Sequence, residues 1–216
     1  MQASSIQLEL LVPEYLEKDK LVHSQVWNTR LHFRIGERIQ IVAPSGSGKT
    51  SLVHMIYGLR KDFSGAVLCD GKPLKSFNPQ ELASWRKNRI SVVFQDLRLF
   101  PDQTAERNIE VKRLLQPYHN VSKVTEMAKR LGVYEKLRQT AQTCSYGEQQ
   151  RIAIIRALQQ PFDFLLLDEP FSHLDDRNAE RALSLIEEEC TARGAAILMI
   201  DLQEVPLFKA ERTLHL

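Results

Sequence analysis

Long apolar runs are missing from this chain. No stretch approaches the roughly 20 consecutive apolar residues that a membrane-spanning helix needs, so nothing in it is expected to cross a bilayer. An excess of one charge is missing too. The 29 basic and 27 acidic residues leave a net charge of +2, which gives no reason to expect a nucleic-acid partner. Cysteine is scarce: Cys69, Cys144 and Cys190 are widely separated and fit no metal-ligand spacing, so they read as reduced structural thiols. The segment Met1-Gln2-Ala3-Ser4-Ser5 has neither a basic nor an apolar leader region, and no secretory signal is expected. Asn120-Val121-Ser122 fits a glycosylation acceptor by pattern only and, with no secretory signal expected, is set aside. Repeats and low-complexity linkers are absent as well. The 216 residues suffice to bury a full core, as one domain or as one core with a subdomain.

The most informative stretch is Ala43-Pro44-Ser45-Gly46-Ser47-Gly48-Lys49-Thr50-Ser51, directly after the apolar run Ile39-Gln40-Ile41-Val42. Gly46 and Gly48 let the backbone approach a phosphate without a Cβ in the way. Successive N–H groups at the start of a helix then form an anion nest. Lys49 can reach β- and γ-phosphates, and the Thr50 hydroxyl can ligate Mg²⁺. Ala43 stands where such loops usually carry their first glycine. A strand before this loop and a helix over Ser51 to Tyr57 after it complete the context that the motif requires.

Elsewhere the pattern alternates. Strands are expected over Ile6 to Val12, Leu31 to Ile35, Ala66 to Cys69, Ile90 to Phe94, Phe162 to Leu167, Ala195 to Ile200 and Thr213 to Leu216. Helices are expected over Pro79 to Asn88 with Asn78 as N-cap, and over Thr104 to Leu115, Ser122 to Leu131 and Tyr146 to Leu158. A long polar-faced helix, Asp176 to Arg193, ends at Gly194. Strands alternating with helices argue for a mainly parallel sheet, and residues 96–160 read as an inserted helical piece.

Two further stretches carry chemistry. Phe164-Leu165-Leu166-Leu167-Asp168-Glu169-Pro170 is an apolar strand ending in two carboxylates. Asp168 at a strand tip facing the phosphate loop would orient Mg²⁺, directly or through water, and Glu169 is placed to polarise an attacking water. Cys144-Ser145-Tyr146-Gly147-Glu148-Gln149-Gln150-Arg151 opens a helix. Ser145 and Glu148 form a capping box, which accounts for the stretch structurally. Its functional alternative is an exposed helix N-terminus that holds a second phosphate group.

These motifs, in this order, resemble the nucleotide-binding subunits of ATP-binding cassette (ABC) transporters over nearly all of the chain. The resemblance rests on residues 43–50, Gln95 after a buried strand, the signature stretch 144–151, Asp168-Glu169-Pro170, and Ser172-His173-Leu174-Asp175. The stretch Val93 to Asp102 and the Glu148-Gln149-Gln150-Arg151 helix most resemble the subgroup of lipoprotein-release, macrolide-export and cell-division ATPases. It implies a single ABC-type domain over 1–216 of α/β class: a P-loop NTPase core with a mainly parallel sheet, an N-terminal antiparallel β portion and an inserted helical subdomain. It implies ATP and Mg²⁺ as cofactors. Pro44, Ser45, Gly46, Ser47, Gly48, Lys49, Thr50 and Ser51 would hold ATP, and Tyr15 is the candidate for stacking on adenine. Thr50, Gln95 and Asp168 would hold Mg²⁺, while Glu169, with Gln95, would activate water. Ser145 and Gly147 would touch the γ-phosphate across a head-to-tail dimer formed with a second copy or a related subunit, with Asp175 at its interface. The partner would be an integral membrane permease docking after Gln95, and the location cytoplasmic, peripheral on the inner face of the membrane.

The departures from the family pattern shape the expectation. Tyr146 replaces the first signature glycine, and its side chain either crowds the trans phosphate or packs outward on the helix. Cys144 replaces a leucine. Where the family has a histidine just before an aspartate, after the strand Ala195 to Met199, this chain reads Ile200-Asp201. Isoleucine neither donates nor accepts a hydrogen bond, and His54 and His173 are not placed to substitute. Losing a polar contact made in the transition state costs about 10²–10³ in rate. The expectation is ATP binding with slow hydrolysis. The alternative is a non-transport, ATP-gated coupling subunit of a membrane complex. A chromosome-structuring ATPase would need a coiled-coil insertion for which 216 residues leave no room, and a small-molecule kinase would lack the 144–151 stretch.

Overall fold

Leu165, Leu167, Ile197 and Met199 are as fully buried as Phe164, Leu166, Leu198 and Ile200, so two strands of this chain are covered on both faces. Only a sheet packed between two layers tolerates such runs. The computed structural model describes residues 4–216; Met1, Gln2 and Ala3, within the segment read for a leader, lie outside the described residues.

Two sheets carry the architecture. The first is antiparallel, in the order β2 (Arg30–Arg34), β1 (Ser5–Pro13), β4 (Phe63–Cys69), β5 (Lys72–Pro73). The second is parallel, in the order β6 (Ile90–Val93), β7 (Phe164–Asp168), β8 (Ala196–Asp201), β3 (Arg38–Val42), β9 (Arg212–His215). β3 lies between β8 and β9, with Val42 beside Asp201, so the phosphate loop and the residues after β8 leave the sheet at the same edge. β7 pairs Asp168 with Ile200, which brings the paired carboxylates to that edge too.

β1 bends at a bulge between Glu9 and Val12, where Leu10 takes a left-handed φ of 49°. Gly65 makes the close approach possible: a Cβ there would lie 2.3 Å from the carbonyl oxygens of Glu9 and Leu10.

Among the described residues six α-helices complete the fold. They are α1 (Lys49–Ile56), α2 (Pro79–Asn88), α3 (Ala105–Leu115), α4 (Val121–Arg130), α5 (Tyr146–Ala157) and α6 (Asp176–Arg193). Capping chemistry sets their starts. Asn78 and Glu81 form a reciprocal capping box with Pro79 at the first turn, and Thr104, Asn120 and Asp175 each accept the N3 amide. Gly194 ends α6 in the left-handed region at φ 63°.

One apolar cluster packs Ile6, Leu8 and Phe33 of the antiparallel sheet, Leu52 and Met55 of α1, and Phe164, Leu166, Leu198 and Ile200 of the parallel sheet. The opposite face of β7 and β8 packs with Ile109, Met127, Ile152, Ile155, Leu183 and Ile186 from α3 to α6. Strand alternation thus decides which layer each residue joins. The three cysteines are free and buried. Among the described residues no helix is long and apolar enough to cross a membrane.

Candidate functional site

The loop between β3 and α1 is anchored before it reaches any ligand. The Ala43 amide donates to the Asp201 carbonyl at 2.8 Å, and the Trp27 indole donates to the Ser47 carbonyl at 2.9 Å. Gly48 caps α1 with φ 98°, a conformation that side chains resist, and a Cβ there would sit 3.0 Å from the Trp27 ring. A cavity of about 390 Å³ opens over this loop, lined by Pro44, Ser45, Gly46, Gly48, Lys49, Thr50 and Ser51, with Gln95, Glu169, Leu202 and Tyr15 around it.

Lys49 and Glu169 form an ion pair across the floor of that cavity, both side chains less than a tenth exposed. Burial lowers the pKa of the Lys49 ammonium, against the pull of Asp168 and Asp201. Glu169 is held in the left-handed region at φ 47°, strain that persists because the backbone is fixed around it. Its amide donates to the Ile200 carbonyl at 2.9 Å, and its carbonyl accepts from the Gln150 side chain at 3.0 Å and the Ser172 hydroxyl at 3.2 Å.

Asp168 is the most informative acid. It is 1 % exposed, and neither carboxylate oxygen has a hydrogen-bond partner. Burial pushes its pKa up to about 6, Asp201 and Asp96 push the same way, and Lys49 opposes them. A buried carboxylate with four empty lone-pair directions is costly unless a cation satisfies it. It lines a cavity of about 320 Å³ together with Thr50, Gln95, Asp96, His54, Phe94 and Tyr146. The Thr50 hydroxyl donates to Gln95 Oε1 at 3.4 Å. Hydroxyl, amide oxygen and carboxylate are hard oxygen donors, the set that suits a Mg²⁺ bound partly through waters. The residues present therefore fit that ion.

The structure thus brings residues 44–51, Gln95, Asp168 and Glu169 to one edge of the parallel sheet. It places Tyr15 there too, half exposed, its hydroxyl 2.6 Å from Ser51 Oγ and the Arg60 guanidinium 4.9 Å from its ring. Ser145 and Gly147 line neither cavity. Ser145 caps α5 in a reciprocal box with Glu148, and Gly147 is pressed so closely on the next loop that a Cβ would meet the His173 carbonyl at 2.8 Å. Asp175 caps α6 through the Asn178 amide at 2.8 Å.

One expectation is corrected. Ile200 does not face the phosphate loop. It is fully buried in the cluster with Leu52 and Leu166, because it lies inside β8 and its alternation turns it into the layer under α1. The side chain that reaches the cavity beside Glu169 is Leu202, the first residue past the strand. Tyr146, 43% exposed, is tied within its own chain: its hydroxyl donates to the Gln95 carbonyl at 3.1 Å.

Comparison with known proteins agrees with this geometry. Residues 26–172 match the family model described as ABC transporter. The chain is 34% identical over 172 residues to "Macrolide export ATP-binding/permease protein MacB" of Nitrosomonas europaea, an alignment covering 78% of this chain and 26% of that protein, so the chain spans about a quarter of its length. Among solved structures, "Dimeric Structure of MJ0796, a Bacterial ABC Transporter Cassette" superposes with a TM-score of 0.83 at 26% identity, covering 98% of this chain and 94% of that one. The same cassette in "a post-hydrolysis state" "bound to ADP and Pi" gives the same score and coverage. A "bacterial Atm1-family ABC exporter with ATP bound" shares the fold, with a TM-score of 0.80 at 23% identity over the whole of this chain and 37% of that one.

Proposed function

The chain belongs to the ABC transporter family, and from that premise we propose that it is the ATP-hydrolysing subunit that drives a membrane permease, paired head to tail with a second copy or a related subunit. The convergence of the phosphate loop, the bare Asp168 carboxylate and Glu169 at one sheet edge carries this reading. Residues 44–51 cradle the phosphates through backbone N–H groups at the start of α1. Lys49 exchanges Glu169 for an incoming phosphate. That exchange frees the Glu169 carboxylate to take a proton from the attacking water. Thr50, Gln95 and Asp168 hold Mg²⁺, which supplies charge neutralisation on the transferred phosphoryl group. Tyr15 presents an exposed ring for adenine.

Ser145 and Gly147 lie outside both cavities of their own subunit, which supports a role towards nucleotide held by the partner. The membrane partner docks on the surface after Gln95. Support comes from the exposed apolar side chains of Phe100, Val111, Leu114 and Leu115 there. The location is cytoplasmic and peripheral, through that partner. Hydrolysis is slow because Leu202 offers no hydrogen bond where it lines the phosphate cavity.

Phosphate release from Mg²⁺-ATP by the purified protein tests this. Turnover that falls at least about 10²-fold in Glu169→Gln, with ATP binding retained, is expected. Equal turnover in the two proteins would remove Glu169 from the reaction.

A further inference from the structure

Tyr146 makes a contact that the proposed chemistry leaves unused. From the first turn of α5 it reaches 51 residues back along the chain to donate a hydrogen bond to the Gln95 carbonyl. Its ring packs edge-on against His173, with centroids 4.2 Å apart. Ten residues further along the same helix, Arg156 donates to the carbonyls of Leu97 and of Arg98, the latter at 2.6 Å. Those two residues are consecutive left-handed non-glycines, at φ 56° and 48°. Backbone in that region persists only where its surroundings over-determine it. One helix therefore grips the 95–98 segment at both ends. Arg156 is buried and holds the strained pair, whereas Tyr146 holds the end whose side chain meets Thr50.

We propose that Tyr146 is a positioning residue: its hydroxyl fixes the Gln95 backbone so that the Gln95 amide oxygen stays against Thr50 at the metal side of the site. This rests on the reading of Thr50, Gln95 and Asp168 as the Mg²⁺ site. The tie runs within one subunit and links the start of α5 to the phosphate-loop helix before any partner binds. Loss of the hydroxyl loosens Gln95 without opening the core, because the tyrosine is 43% exposed. A single hydrogen bond of this kind changes an equilibrium by roughly two- to tenfold.

The experiment measures binding of a non-hydrolysable ATP analogue, first in excess chelator and then across a Mg²⁺ titration. Wild type, Tyr146→Phe, Gln95→Ala and the double variant are compared, with thermal melts of each. Tyr146→Phe should keep the chelator-state affinity and the melting temperature, and should raise the Mg²⁺ midpoint roughly two- to tenfold. In the Gln95→Ala background the same substitution should have no effect on the midpoint, since the side chain that transmits it is gone. A midpoint unchanged in Tyr146→Phe overturns the proposal. A shift that persists undiminished in the Gln95→Ala background overturns it too, by making the hydroxyl's role merely structural. If the wild type binds the analogue with no dependence on Mg²⁺, the metal site itself fails, and the proposal with it.

Discussion

Two buried acids of this protein have opposite surroundings. Glu189 of α6 is 6 % exposed and crowded by nitrogen groups: His119 Nε2 at 2.7 Å, Arg193 Nη1 at 2.6 Å and Lys123 Nζ at 3.7 Å. Burial alone would raise its pKa, but the His119 hydrogen bond and the Arg193 charge outweigh it and hold the group at about 2. Asp168 is buried more deeply, at 1 %, and has no hydrogen-bond partner, so burial wins and its pKa rises to about 6. The first acid is a staple: it ties the segment before α4 to α6. The second keeps its lone pairs free. A carboxylate that the fold leaves bare at a strand tip, beside a phosphate loop, is stabilised only by something the chain does not itself contain. Stability and function are separated here by who supplies the counter-charge.

The contrast can be broken from the Glu189 side first. Glu189→Ala leaves Arg193, with 3% of its side chain exposed, without its carboxylate partner. It should cost about 3–5 kcal/mol in chemical denaturation. The group's contribution is present above its ordinary value of 4.5 and lost as pH falls towards about 2. A loss below about 1 kcal/mol would make the cluster an ordinary surface pair.

The pair Ile200 and Leu202 sharpens the same division within three residues. Ile200→His puts an imidazole into a fully buried apolar position and should destabilise the protein by about 2–3 kcal/mol without accelerating turnover. Leu202→His, at the cavity wall, should leave the melting temperature nearly unchanged and raise phosphate release about tenfold. Acceleration by Ile200→His instead would reverse the assignment of these two positions.

Much of this was legible in the residues. α2 and α6 run over the expected spans because Asn78-Pro79 and Asp175 start them, and Gly194 ends α6. The phosphate loop and the Asp168-Glu169 pair were legible because their chemistry is local to a few consecutive residues. The face of β8 was not. Ala196 to Ile200 is apolar throughout and buried on both sides, so the run carries no alternation to show which residue ends at the cavity. The direction of Tyr146 was not legible either, because its partner is 51 residues distant and is a backbone carbonyl, which every residue possesses. The bulge at Leu10 depends on Gly65 in another strand, a tertiary fact with no signature in its own neighbourhood.

The account stands most directly on Asp168, and one comparison tests it: thermal melts of wild type and Asp168→Asn at pH 8 and pH 5, each with chelator and with Mg²⁺-ATP. A group whose folded pKa is raised contributes stability below its unfolded value, and that contribution is lost as pH rises through about 6. At pH 8 in chelator, Asp168→Asn should therefore melt a few degrees higher than wild type. At pH 5 the difference should shrink to about half, because the unfolded carboxyl, with its ordinary value of 3.8, is still ionised there. With Mg²⁺-ATP only the wild type should gain further stability. A variant that melts lower than wild type at pH 8 in chelator, or one that keeps the full Mg²⁺-ATP shift, would contradict the claim that this carboxylate is held bare for a cation.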